Sequence, residues 1–197
     1  GVCLVAMDGY LYAAGGHDGF TAVNVVEYDP QTNKWSMQPP MLTRRSLAGA
    51  AVLQGHLCVI AGNDGESALS SERYNPLDGT WACSHMLGPR EAAGCAVYRG
   101  HIYDAGGKDE LDLKLCSAER LDPCGMRWSP VKCMRSKRMS LAVFSCLLLA
   151  VGGHDGVSDL KAIDVYDHET DSWYFGSLKS KHPGGIVAVL RPNKTLI

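Results

Sequence analysis

Short apolar runs alternate with polar turns along the whole chain, and no stretch holds a helical period over about 11 residues. The first run, Val2 to Ala6, is followed by Asp8-Gly9 and then by Tyr10 to Ala14. Asp-Gly between two apolar runs predicts a β-hairpin. A polar segment, His17-Asp18-Gly19-Phe20, leads to a third run over 23–28. Asp29-Pro30 with Thr32-Asn33 predicts the next turn, because Pro presets φ and Asn tolerates the left-handed region. A fourth run covers 34–37. These four strands are called A to D.

The unit recurs. Tryptophan stands at Trp35, Trp81, Trp128 and Trp173, a period of 45 to 47 residues, preceded by Tyr28, Tyr74, Leu121 and Tyr166. Further upstream lie Gly15-Gly16, Gly62-Asn63, Gly106-Gly107 and Gly152-Gly153, with Asn63 read as a stand-in glycine that tolerates positive φ. A fixed period of this length means stacked supersecondary units. Strand A is apolar throughout, as are Leu47 to Leu53 and Ala92 to Val97, which fits strands covered on both faces. A four-stranded sheet with neighbours on both faces is a propeller blade. The expected fold is therefore all-β, with strand A innermost and most buried, strand D outermost, and Trp and Tyr filling the space between blades. In the fourth unit Leu141 to Gly152 is shorter than the matching stretch elsewhere, so strand A there is expected to be short or the blade distorted.

Composition narrows the function. Net charge is −2, which gives no electrostatic footprint for nucleic acid. The one basic cluster, Lys132, Arg135, Lys137 and Arg138, reads as a solvated loop, with a contact for an acidic partner the alternative. No apolar run reaches the ~18 residues of a membrane span, and no signal peptide stands at the start. The eight cysteines contain no C-x-x-C pair. Cys3, Cys58, Cys95 and Cys146 fall inside apolar strands, so free thiols are expected. Cys124 and Cys133 flank basic residues that would stabilise a thiolate, a hint of redox sensing. The histidines are scattered. His17 and His154 are two units apart and read as turn residues, as do Asp18, Asp64, Asp109 and Asp155. No metal site, cofactor or catalytic constellation is expected.

The Gly-Gly pairs, Tyr-Asp-Pro at 28–30, Asn-x-Trp at 33–35 and Met-x-x-x-Arg at 41–45 make the chain resemble kelch-repeat β-propellers. The Gly-Gly-His-Asp-Gly loops at 15–19 and 152–156 resemble the BTB-kelch (kelch-like) subfamily most closely. The resemblance implies a kelch-type propeller with four blades over about 1–46, 47–91, 92–140 and 141–183, a closing strand over 184–190 and a tail over 191–197. It also implies that these blades belong to a six-bladed ring in a longer chain, with closure as a four-bladed ring the alternative.

In that family the partner-facing surface is built by the B–C and D–A loops. Carried over, this selects His17, Gly19, Asn63, Gly65, Lys108, Glu110, His154 and Gly156 from the B–C loops. From the D–A loops it selects Ser46, Leu47, Glu91, Ala92, Met139 and Ser140. Arg45, Arg90 and Arg138 are expected to support the blades instead. The mixed character of these positions disfavours a strongly acidic ligand, with Phe20, Leu47 and Met139 as apolar anchors. The resemblance implies a cytoplasmic protein-interaction domain, not an enzyme: the substrate-recognition propeller of a cullin-RING ubiquitin ligase adaptor, reaching the cullin through a BTB domain outside this chain. A propeller binding actin or the cytoskeleton is the alternative. A galactose-oxidase-like copper enzyme is a remote one.

Overall fold

A computed structural model describes residues 1–16, 24–66, 70–138, the backbone of 142–144, and 148–177. Among the described residues sixteen strands form four antiparallel sheets, each in sequence order. Blade one comprises β1 (Val2–Met7), β2 (Tyr10–Gly15), β3 (Val25–Asp29) and β4 (Lys34–Gln38). Blade two comprises β5 (Gly49–Leu53), β6 (His56–Ile60), β7 (Ser71–Asn75) and β8 (Thr80–Ser84). Blade three comprises β9 (Gly94–Tyr98), β10 (His101–Ala105), β11 (Ala118–Asp122) and β12 (Arg127–Val131). Blade four comprises β13 (Ala142–Phe144), β14 (Leu149–Val151), β15 (Ala162–Asp167) and β16 (Ser172–Ser177). The first strands of successive blades, β1, β5, β9 and β13, lie side by side. This is the expected kelch-type propeller architecture. Strands β13 and β14 are shorter than their counterparts, as the short spacing in unit four suggested. The closing strand expected over 184–190 lies outside the described residues.

Local chemistry accounts for the turns. Asp8-Gly9, Gln54-Gly55 and Arg99-Gly100 all take positive φ, the geometry of the two-residue hairpin turn that matches strand twist. At the C–D turn Asn33 sits at φ 55 and accepts from the Tyr28 hydroxyl at 2.8 Å, while Asp29 accepts from the Gln31 amide.

The core is three slabs, each between adjacent blades. Met7, Tyr12, Val25, Leu57 and Tyr74 fill the first; Ala51, Ile60, Ile102, Leu121 and Trp128 the second; Tyr103, Leu148, Tyr166 and Trp173 the third. Each slab also takes one methionine from the preceding D–A loop: Met41, Met86 and Met134. Tryptophan ties each blade to the one before. Trp81 Nε1 donates to the Pro39 carbonyl, Trp128 Nε1 to Ser71 Oγ, and Trp173 Nε1 to the Lys132 carbonyl. Trp35, in the first blade, is 52% exposed, whereas Trp173 is 3% exposed. The same side chain is buried only where a preceding blade covers it.

Two expectations are corrected here. The most buried strand is B, not A: Leu57, Val59, Ile60 and Ile102 are fully buried, while β5 and β9 are largely half-buried. In blades two and three, strand B is covered by blades on both sides; strand A is the end strand of its sheet. The apolar runs at 47–53 and 92–97 also begin too early. Leu47 and Ala92 take φ 54 and 53, which no strand tolerates, so β5 and β9 start two residues later.

The glycine register in blade two is also off by one. Strand pairing aligns Ala61-Gly62 with Gly106-Gly107, because Ile60 and Ala105 occupy the same position. Ala61 takes φ 60 itself, and Asn63 is not at positive φ. The second position is the closed one. A Cβ on Gly62 would lie 2.7 Å from the Ser46 carbonyl oxygen, and one on Gly107 would lie 2.5 Å from that of Glu91. Gly106→Ala should therefore cost about 1 kcal/mol, because Ala61 already bears that conformation. Gly107→Ala should cost above about 3 kcal/mol, because backbone must move. Thermal denaturation of the two variants checks the order; equal losses would contradict the register.

Candidate functional site

The loops that form the expected partner face are fixed by arginine. Arg45, Arg90 and Arg138, each four residues after its methionine, are buried to within 3% exposure. Arg45 Nη1 donates to the Ala61 and Ser70 carbonyls at 2.7 and 2.6 Å, and Nη2 meets Glu72 Oε1 at 2.8 Å. Arg90 repeats this with Gly106, Ser117 and Glu119, the last at 2.6 Å. Arg138 does so with Ala150, Gly152, Ala162 and Asp164. The guanidinium thus closes the two ends of each B–C loop, and in blades two and three the carboxylate holds the D–A loop. Glu72 accepts from the Leu42 and Thr43 amides, and Glu119 from Leu87.

Each arginine also reaches back one blade. The amides of Gly16, Gly62 and Gly107 donate to the carbonyls of Arg45, Arg90 and Arg138 at 2.8–2.9 Å. The expectation that these arginines support the blades therefore holds. Arg138 leaves the solvated basic cluster, because it is fully buried, with Nη1 on three backbone carbonyls and Nη2 on Asp164. Arg135 Nε likewise donates to the Trp173 carbonyl.

On this frame the D–A and B–C loops pair. Ser46 and Asn63 exchange both backbone hydrogen bonds at 2.8 Å, and Glu91 and Lys108 do the same at 2.9–3.0 Å. The Ala92 amide donates to the Leu47 carbonyl at 3.0 Å, joining neighbouring blades. Lys108 pairs with Lys114 along the backbone, and Lys114 in turn lies beside Gly156 of blade four. Ser46, Leu47, Asn63, Gly65, Glu91 and Gly1 line one depression of about 420 Å³. Glu110 lines a separate apolar cavity of about 560 Å³ in blade three. His154 Nδ1 accepts from the Gly156 amide at 2.9 Å, so this histidine is a turn residue. Asp109 and Asp155 also cap backbone amides of their own loops, and that capping holds the Asp155 carboxyl below its ordinary range. His17, Gly19, Phe20, Met139 and Ser140 lie outside the described residues.

Lys108 is not a free cation. Its ammonium meets Glu91 at 2.8 Å and Asp112 at 2.7 Å, and these partners raise its pKa. Lys114 also holds Asp112, at 3.0 Å. Reading residue types alone missed Asp112 and Lys114, and nothing in the repeat marks them. It also missed Glu72, Glu119 and Asp164. These had a signal: each lies two residues before the Tyr-equivalent position, where blade one has Val26. Among the described residues no three His, Cys, Asp or Glu side chains converge to hold a metal, and no helix is long and apolar enough to cross a membrane.

A family model described as the Kelch motif matches residues 1–42, 89–135 and 135–177. Kelch-like protein 25 of Xenopus tropicalis is 30% identical over 184 residues, covering 85% of this chain and 31% of that protein. Alpha-scruin of Limulus polyphemus is 32% identical over 100 residues, covering 45% of this chain and 11% of that protein. The chain thus spans about a third of the length of Kelch-like protein 25. The solved structure of YjhT matches with a TM-score of 0.78 over 92% of this chain and 66% of that one, at 17% identity, a likeness of fold.

Blade three carries one more acid beside its arginine. Asp104 stands where blade two has Val59, fully buried, with Oδ2 3.5 Å from Arg90 Nε. Burial pushes its pKa up from 3.8 to about 7; Arg90 opposes that shift and Glu119 adds to it. A carboxyl raised on folding stabilises the native chain below its unfolded pKa, and that contribution is lost as pH rises through about 7. The melting temperature should therefore fall between about pH 4 and about pH 7 and level off above that. Asp104→Asn should flatten that fall, and parallel profiles for the two proteins would contradict it.

Proposed function

The chain belongs to the kelch-repeat family, and on that premise we propose that it is the substrate-recognition propeller of a cullin-RING ubiquitin ligase adaptor, acting in the cytoplasm. That it is a protein-interaction propeller follows from the family; the ligase role is the further step. The observation that carries it is the loop face. Backbone hydrogen bonds stitch the D–A and B–C loops of blades two and three into one surface, while Leu47, 45% exposed, stays outward over a depression of about 420 Å³. A fixed backbone with free side chains is the arrangement that recognises a partner at low entropic cost.

The face favours a ligand of mixed polar and apolar character. Lys108 is already neutralised by Glu91 and Asp112, so little positive potential is left for an acidic peptide. The contact with the cullin would run through a BTB domain outside this chain. Binding to actin or the cytoskeleton is the second reading, through the same face. It stands behind the first because the match to Kelch-like protein 25 covers far more of the chain than the match to alpha-scruin.

The test is co-purification from cells of the longer parent protein that would carry the BTB domain, read by mass spectrometry, with Leu47→Asn/Glu110→Lys as the control. Asn tolerates the positive φ of Leu47, and the variant should melt within about 1 kcal/mol of the parent. The proposal expects a cullin with both proteins, and at least one further protein lost with the variant. Actin recovered without a cullin would move the assignment to the second reading. An unchanged partner list would refute the face.

A further inference from the structure

Strand β11 pairs with β12 so that Ala118 faces Val131. Beyond the ends of these strands the two segments stay together, with the register shifted by one: the Met134 amide donates to the Cys116 carbonyl at 2.8 Å, which sets Cys133, the residue before it, beside Cys116. The Cys116 thiol lies close enough to act on that of Cys133. Both cysteines are free, Cys133 exposed and Cys116 half-buried. Cys133 also lines the cavity of about 560 Å³ with Leu87, Pro89, Leu111 and Val131, so a small oxidant has open access to it.

We propose that Cys116 and Cys133 are a cross-strand redox pair, closed to a disulfide by a peroxide. The Cys133 thiolate attacks the peroxide; an S–O bond forms, the O–O bond breaks, and hydroxide leaves. The Cys116 thiolate then attacks the sulfenic sulfur, forming S–S and breaking S–O, and a second hydroxide leaves. The two thiol protons convert both hydroxides to water, and two electrons pass from sulfur to the peroxide. The product fastens the end of the third B–C loop to the chain beyond β12, in the wall of the cavity.

The partner differs from the one the basic flanks suggested. Burial first, and the adjacent Cys116 second, raise the Cys133 thiol, against the opposing pull of Lys132 and Arg90. The basic residues therefore do not make Cys133 unusually acidic. What singles it out is a resolving thiol beside it. Cys83 and Cys124 are exposed and free as well, and serve as internal controls.

The full chain, at low concentration, is treated with hydrogen peroxide, digested without reductant and analysed by mass spectrometry. The expected result is joint loss of the Cys116 and Cys133 thiols and a linked peptide containing both, in large excess over any linkage to Cys83 or Cys124. In Cys116→Ser the linked peptide disappears and Cys133 accumulates as a sulfenic acid trapped by dimedone. Absence of the linked peptide from the parent protein overturns the proposal, as does equal dimedone labelling of Cys133 in parent and variant. The first readout needs no variant, so a folding defect in Cys116→Ser leaves the test intact.

Discussion

One buried ion pair, repeated at each junction between blades, holds the molecule and its loop face together. An arginine from the D–A loop spends its donors on a carboxylate of strand C and on the carbonyls that begin and end the B–C loop. Its own carbonyl accepts from the second glycine of the preceding blade. Breaking such a pair by removing one partner costs about 3–5 kcal/mol, since the other charge is left buried. Because the arginine side chain and backbone serve different blades, its loss would loosen two loops at once.

This constraint separates structure from recognition. The apolar slabs, with their Met, Tyr and Trp side chains, supply most of the stabilisation between blades. They do not fix the backbone of the loops above them. The arginines do, and they leave side chains such as Leu47 facing outward. Loop chemistry can then vary without disturbing the frame, as expected where function is grafted onto a fold.

The fold was legible because tryptophan and tyrosine recur at fixed offsets and the hairpin turns carry their own chemistry. What was misread came from judging residues by type. Gly62-Asn63 was matched to Gly-Gly by identity, whereas strand pairing places Ala61-Gly62 there. Leu47 and Ala92 were assigned to strands because they are apolar, though both take positive φ. Five of the loop residues picked from the resemblance line one depression. The neutralisation of Lys108 by Asp112 was not legible, because that loop is peculiar to blade three. The acids two residues before the Tyr position were in register and were overlooked, since a charge in an apolar strand announces a buried partner only once that partner is sought.

Amide hydrogen exchange on Arg90→Lys tests the arginine most directly. Lysine keeps the charge but cannot reach Gly106, Ser117 and Glu119 together. The account predicts that the amides of Gly62, Leu87 and Lys108, on both sides of the junction, lose protection together while those of β6 keep theirs. Faster exchange at Leu87 alone, with Gly62 and Lys108 unchanged, would show that the arginine serves only its own blade and would contradict the account.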